Sequence, residues 1–311
     1  MTEPKRALVL GCGAVAGAAW QIAILNELQQ RLGWDARDAD ILIGTSAGAV
    51  LATLLGAGVG VERMLASQRG ELQDCKWNHD TDTGGAIPPL PRLGLSGAKL
   101  FVHGLRGEVS PLTAITGLMP HGRTDMQPMM NLIDSVITPG KWVPHRNTWL
   151  IAVDAESGQR VALGREHTDM PANRAVCASY AVPGVCPPVQ WQGSTYLDGG
   201  IASPASADLL LGADIEEAIV LAPMASMQMD NPRSPLAKIE RRVRRYMTAI
   251  VDREVAQLRA AGIRVTRIDP GPEDLAAFGF NMLDPARRVR VFEAASRTAG
   301  PVVRQALEDA C

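Results

Sequence analysis

The sequence predicts an α/β fold: a single three-layer domain with a mainly parallel central sheet. Short apolar runs of strand length recur at Arg6 to Leu10, Ile41 to Ile43, Thr148 to Val153, Glu217 to Ala222 and Arg264 to Ile268. Helical stretches separate them, the spacing expected of parallel strands covered on both faces. No linker, repeat or low-complexity tract divides the 311 residues, so one domain over 1–311 is expected, with a cap inserted at about 76–146 and a helical portion from about 235 to 311.

The first strand runs into Gly11-Cys12-Gly13-Ala14-Val15-Ala16-Gly17, then into a helix through Trp20, Ile22, Ile24, Leu25 and Leu28. A loop of small residues opening a helix directs several N–H groups at one point in space. Such a point holds a phosphate or the oxyanion of a tetrahedral intermediate. A dinucleotide-binding reading competes here, but it requires an acidic residue ending the second strand. Asp35, Asp38 and Asp40 all precede that strand instead.

The second strand ends in Gly44-Thr45-Ser46-Ala47-Gly48 and passes into an apolar helix from Ala49 to Leu55. Strand, Gly-x-Ser-x-Gly and helix in succession make a nucleophile elbow, in which a sharp turn projects the serine hydroxyl and the glycines allow close packing behind it. Ser46 is therefore the candidate nucleophile. Oxyanion donors are expected from the N–H groups of Cys12, Gly13 and Ala14, with that of Ala47.

A serine nucleophile needs a base, and the chain order limits the choice. The histidines are His79, His103, His121, His145 and His167, and the conspicuous acid, Asp198 in Tyr196-Leu197-Asp198-Gly199-Gly200, follows all of them. A Ser-acid-His order cannot be completed beyond Asp198. Two readings of Asp198 stand: it is itself the base, or it closes a turn with Gly199. A rival triad of Ser46, Asp154 and His167 is allowed by order, although Glu166-His167-Thr168-Asp169 reads as an exposed loop. No histidine or cysteine stands at ligand spacing from another, so no metal is expected.

Cys12 reads as a small apolar filler, and Val9-Leu10-Gly11-Cys12, although it resembles a lipobox, lacks the apolar stretch of a signal segment. Cys75, Cys177, Cys186 and Cys311 have no regular spacing, which fits free thiols in a reducing, cytoplasmic setting. Net charge is −2, which excludes a general polyanion binder, so no nucleic acid is expected as a partner. No apolar run reaches the about 18 residues of a membrane span.

The cap is dense in Pro, Gly and Met and is read as irregular, apart from a helix from Pro128 to Val136. Its Met119, Met126, Met129 and Met130 could line an acyl groove or simply pack. From Ile239 to Leu258 apolar residues recur at helical spacing, and Arg241, Arg242, Arg244 and Arg245 are read as a solvated face, with contact to anionic lipid at a membrane periphery or to a carrier protein as the alternative.

Three pieces in order, the small-residue loop, Gly44-Thr45-Ser46-Ala47-Gly48, and Asp198-Gly199-Gly200 with no later histidine, resemble the patatin-like phospholipase family. The elbow matches the family pattern at every defined position. Ser179-Tyr180-Ala181-Val182-Pro183 also looks like the family's segment before its aspartate, and the resemblance spans roughly residues 6 to 208. The first motif departs. Against the family's Gly-Gly-Gly-x-Arg/Lys-Gly, residues Cys12 to Gly17 replace two glycines and the basic residue.

The resemblance implies a Ser46–Asp198 dyad on this fold, motif glycines Gly11, Gly17, Gly44, Gly48, Gly199 and Gly200, no cofactor, and an acyl-ester lipid as substrate. It implies a serine acyl hydrolase, of lipase, esterase or phospholipase A type. Acyl transfer by the same dyad and a non-catalytic lipid or nucleotide binder are the alternatives. Oligomeric state leaves no trace in the sequence.

Overall fold

The computed structural model describes residues 4–310, apart from residues 73, 75, 76, 80, 83, 84, 86, 167 and 168. Strand β1 (Arg6–Leu10) leads into helix α1 (Ala14–Leu32), and β2 (Ile41–Thr45) into α2 (Ala47–Gly56) and α3 (Val61–Gln68). The cap contributes β3 (Arg92–Leu95), α4 (Ala98–Leu105), α5 (Pro111–Thr116), β4 (Pro120–His121) and α6 (Gln127–Asp134). The sheet resumes with β5 (Thr148–Asp154) and β6 (Arg160–Leu163), followed by α7 (Ala172–Ser179), β7 (Val189–Trp191) and β8 (Ser194–Asp198). The last part holds β9 (Glu217–Leu221), α8 (Pro235–Ala260), β10 (Arg264–Ile268), α9 (Pro272–Phe278) and α10 (Pro285–Asp309).

The main sheet runs in the order β10-β9-β1-β2-β5-β8-β7, with β6 also on β5. Strands β10, β9, β1, β2 and β5 are parallel neighbours, as expected, and β6, β7 and β8 join antiparallel. Side chains alternate between two faces because the strand repeat is two residues. Leu8, Leu10, Leu42, Leu150, Ile219 and Leu221 enter one core with α1, α2 and α10. Ala7, Val9, Ile41, Ile43, Ala218 and Val220 enter the other with Val251, Val255 and Leu258 of α8. Both faces are therefore covered, which is why the strands read as nearly continuous apolar runs. Each fully buried leucine or isoleucine contributes about 1.5–3 kcal/mol of transfer free energy.

Parallel strands share a polarity, so the loops after β1, β2 and β9 gather at one edge of the sheet, where α/β proteins place their ligands. Strand β5 decides what else arrives there. Leu150 and Ile151 pair with β2 on one side and β6 on the other, while Ala152 and Val153 pair with β6 and β8. Strands β2 and β8 therefore lie end to end along one edge of β5. Thr45 is the partner of Ile151 and Asp198 the partner of the next residue, Ala152.

One expectation for the cap needs correction. The segment read as irregular holds helices α4 and α5 and the paired strands β3 and β4, besides α6 at Gln127–Asp134. Helices of eight and six residues bordered by Gly and Pro are too short to show a clear period. The expected cap start, Lys76, lies outside the described residues, as do His167, Cys75 and Cys311.

Candidate active site

Ser46 stands between β2 and α2 with φ 56° and ψ −118°, a backbone conformation costly for a residue with a Cβ. Close packing enforces it. A Cβ on Gly48 would lie 1.9 Å from Leu10 O, and one on Gly44 would lie 2.4 Å from Gly48 O. Only glycine at both positions lets α2 start against the end of β1, as the elbow motif requires. The Ser46 N–H donates to Ser179 Oγ at 2.9 Å, and Ser179 Oγ in turn donates to Ile151 O at 2.6 Å. Ser179, at the end of α7 and fully buried, therefore ties the strained turn to β5. Its position was legible in the Ser-Tyr-Ala-Val-Pro segment, but its work was not.

Asp198 ends β8, where its N–H donates to Ala181 O at 3.0 Å. Its Oδ1 accepts the Gly200 N–H at 2.7 Å, so the turn-closing reading of this aspartate holds for one oxygen. The other oxygen, Oδ2, is buried and has no hydrogen bond of ordinary length and angle. Burial raises the Asp198 pKa from 3.8 to about 7, opposed by the neighbouring Ser46 hydroxyl and by the Gly200 N–H. The Ser46 hydroxyl therefore lies near the carboxylate without a hydrogen bond of ordinary length and angle to it. Gly199 is obligatory here, because a Cβ would sit 2.5 Å from Ile151 O. Burial also drives the thiol of Cys12 and the phenol of Tyr180 upward, and both feel the Asp198 charge. Both groups therefore stay protonated and neutral around the acid.

The rival acid is occupied elsewhere. Asp154 Oδ1 accepts from Glu156 N, Ser157 N and Ser157 Oγ, capping the β5–β6 turn. Of the other histidines, His79 bonds Ser67 and Trp77, His103 bonds Glu108, His121 bonds Leu95 O, and His145 bonds Ala39 O.

The first loop requires a correction. The Cys12 N–H donates to Pro204 O at 2.8 Å and the Gly11 N–H to Leu221 O at 2.9 Å, so neither has a hydrogen left for an oxyanion. The N–H groups of Gly13, Ala14 and Ala47 carry no hydrogen bond among the described residues, as expected where helices α1 and α2 begin. Ala14, at φ 50°, and Ala47 both border a cavity of about 370 Å³. Much of its wall is apolar, with Ile22 from α1, Leu51 and Leu54 from α2, Met64 from α3, and Met129, Leu132 and Val136 from α6 and its end, but Arg63, Ser67, Gln68, Asp74 and His79 line it too. Of the four cap methionines only Met129 lines it. Met126 and Met130 pack against the core, and Met119 is exposed.

A second correction concerns the arginines of α8. Arg241 and Arg244 are buried, and only Arg242 and Arg245 face water. Arg244 donates to Pro223 O and Ala225 O and pairs with Glu240, while Arg241 pairs with Asp230 and donates to Leu275 O at 2.5 Å. Pro223 is the residue on which the first loop rests, for a Cβ on Gly13 would meet its Cβ at 3.0 Å. Arg244 thus braces the loop from beneath, and its charge lowers the Cys12 pKa against the burial effect. The signal was present in the sequence: Ala237, Arg241, Arg244, Met247, Val251, Val255 and Leu258 follow one helical stripe.

A patatin-like phospholipase family profile matches residues 8–211, about two thirds of the chain and the part that contains the elbow, the first loop and the Asp-Gly-Gly turn. The chain belongs to the patatin-like phospholipase family. Family membership supports hydrolysis of lipid acyl esters in general terms. No curated protein matches the sequence. Among solved structures this patatin-like chain is similar to VipD from Legionella pneumophila, with 13% identity and a TM-score of 0.46 over 99% of this chain and 67% of VipD. It is also similar to the type III effector protein ExoU, with 15% identity and a TM-score of 0.38 over 97% of this chain and 53% of ExoU. No helix among the described residues is long and apolar enough to cross a membrane, and no group of acids, histidines and cysteines among them could hold a metal.

Proposed function

We propose that this chain is a serine acyl hydrolase in which Ser46 is the nucleophile and Asp198 the base. The observation that carries the reading is the end-to-end arrangement of β2 and β8 on one edge of β5. It sets a buried carboxylate with a free oxygen beside a strained serine. Ser46 Oγ attacks the acyl carbon while its proton passes to Asp198 Oδ2, and the oxyanion takes hydrogen bonds from the N–H groups of Gly13, Ala14 and Ala47. Collapse of this intermediate expels the alcohol, which takes the proton from Asp198 and leaves an acyl-enzyme. Water then gives its proton to Asp198, attacks the same carbon and releases the acid, and the proton returns to Ser46. A base with a pKa of about 7 accepts and returns protons near neutral pH, where a fully solvated aspartate would be too weak.

The cavity beside Ala14 and Ala47 suits one acyl chain along its aliphatic wall, where Met64 and Met129 adapt to the chain's shape, while Arg63, Ser67, Gln68, Asp74 and His79 of the same lining supply polar groups. Incubation with a fluorophosphonate followed by intact-mass and peptide mapping tests the nucleophile. One adduct on Ser46, lost in Ser46→Ala together with ester turnover, is expected. An adduct elsewhere, or turnover surviving in Ser46→Ala, overturns the assignment. Under the same reading kcat/KM for a soluble ester rises with pH through an apparent pKa near 7, because only the ionised base can accept the proton.

A further inference from the structure

The cap carries apolar surface that no other part of the described chain covers. Ile87 is 87% exposed, Leu90 85% and Leu105 75%, and Leu95 and Ile115 are more than half exposed. Each such side chain forgoes about 1.5–3 kcal/mol by remaining in water, and their concentration in one short segment marks a contact surface.

The segment is a packed unit with an inner and an outer side. Helices α4 and α5 meet so closely that a Cβ on Gly104 would lie 2.2 Å from Ala114 Cβ, and β3 pairs with β4. Its inner side holds fully buried Leu100, packed with Ala155, Leu197 and Ile201, and Thr113, whose Oγ1 donates to Ile201 O at 2.8 Å. Ile201 directly follows the Asp198-Gly199-Gly200 turn, so the unit sits on the candidate base. The exposed apolar residues therefore lie on its outer side, next to the site.

Charge distinguishes the occupants. Within residues 87–123 the cations are Arg92, Lys99, Arg106 and Arg123 and the only acid is Glu108, in a chain whose net charge is −2. His103 holds Glu108, and Lys99 pairs with Glu156. Arg92, Arg106 and Arg123 are exposed and have no ion-pair partner among the described residues. Unpaired arginines interspersed with exposed aliphatic residues match a surface that is anionic at its face and apolar beneath it.

We propose that the outer face of the cap, from Ile87 to Arg123, docks on an anionic phospholipid surface. Aliphatic side chains enter the head-group boundary, the three arginines meet lipid phosphates, and the site beneath is presented to the bilayer. The proposal rests on the lipid-hydrolase reading for its purpose but not for its measurement. Binding is read with Ser46→Ala, which cannot turn over lipid, by co-sedimentation with phosphatidylcholine vesicles with and without phosphatidylglycerol. Each arginine at an anionic surface is worth a factor of roughly five in partitioning, so Arg92→Gln with Arg106→Gln lowers binding to the anionic vesicles by roughly twentyfold. Leu105→Asp with Ile115→Asp abolishes it. In the Ser46 background both pairs leave turnover of a soluble acetyl ester unchanged, which excludes misfolding as the cause. Absence of vesicle binding overturns the proposal, as does equal binding to vesicles without phosphatidylglycerol. So does a concentration-dependent dimer that Leu105→Asp dissolves while vesicle binding persists. An inert acetyl ester with intact vesicle binding would instead sink the hydrolase reading alone.

Discussion

Replacing Asp198 by asparagine should stabilise the protein under the conditions in which it destroys activity. Burial moves the Asp198 pKa from 3.8 to about 7. At about 1.4 kcal/mol per pH unit, that displacement corresponds to roughly 4 kcal/mol of folding free energy lost when the buried group ionises. The sign follows from the direction. An acid whose folded pKa is raised keeps its contribution below its unfolded value and loses it as pH climbs through the folded one, here between about pH 4 and pH 7. Asparagine is neutral throughout and retains an Oδ1 acceptor for the Gly200 N–H. Its amide hydrogens, with only the Ser46 hydroxyl nearby, cost back about 1–2 kcal/mol. The net gain at about pH 8.5 is therefore roughly 2–3 kcal/mol, which is about 5 °C in Tm, and it fades towards about pH 5. Differential scanning calorimetry across that range, with ester turnover measured on the same samples, reads both effects. An unchanged or lowered Tm at high pH, or a gain that does not shrink on acidification, would show that the carboxylate is solvated and refute the argument.

Ser179→Ala removes the acceptor of the Ser46 N–H and leaves that buried donor unpaired, so a loss of about 1–3 kcal/mol in stability is expected, read by urea unfolding. Because the strained turn is then less well fixed, kcat should fall more than KM rises, and Ser179→Thr, which keeps a hydroxyl, should restore part of it. Leu54→Trp places a larger side chain in the wall of the 370 Å³ cavity and should shorten the longest acyl chain turned over while sparing an acetyl ester. A panel of aryl esters of increasing chain length reads this, and an unchanged chain-length profile would place the acyl chain elsewhere.

Much of the site was legible because its chemistry is local. The elbow is written in five consecutive residues, since the conformation of Ser46 and the approach of α2 to β1 depend on glycines adjacent in sequence. The five parallel strands were legible for the same kind of reason: burial on both faces imposes apolar runs of strand length. Cap helices α4 and α5 were not legible, because at eight and six residues they span too few turns for a period to stand out among the surrounding Gly and Pro.

By itself the sequence determined the fold class, the serine and the aspartate as the candidate residues, and, by chain order, that no histidine follows the acid. Tertiary structure alone decided which backbone N–H groups remain free. Pro204 O takes the hydrogen of Cys12 from 192 positions away, and no local pattern encodes that. It also decided that Arg241 and Arg244 are buried braces, since burial depends on which residues pack against α8. Above all it decided the meeting of Ser46 with Asp198. The two residues are 152 apart in the chain, and they become neighbours because β5 lends successive residues of one edge to β2 and then to β8.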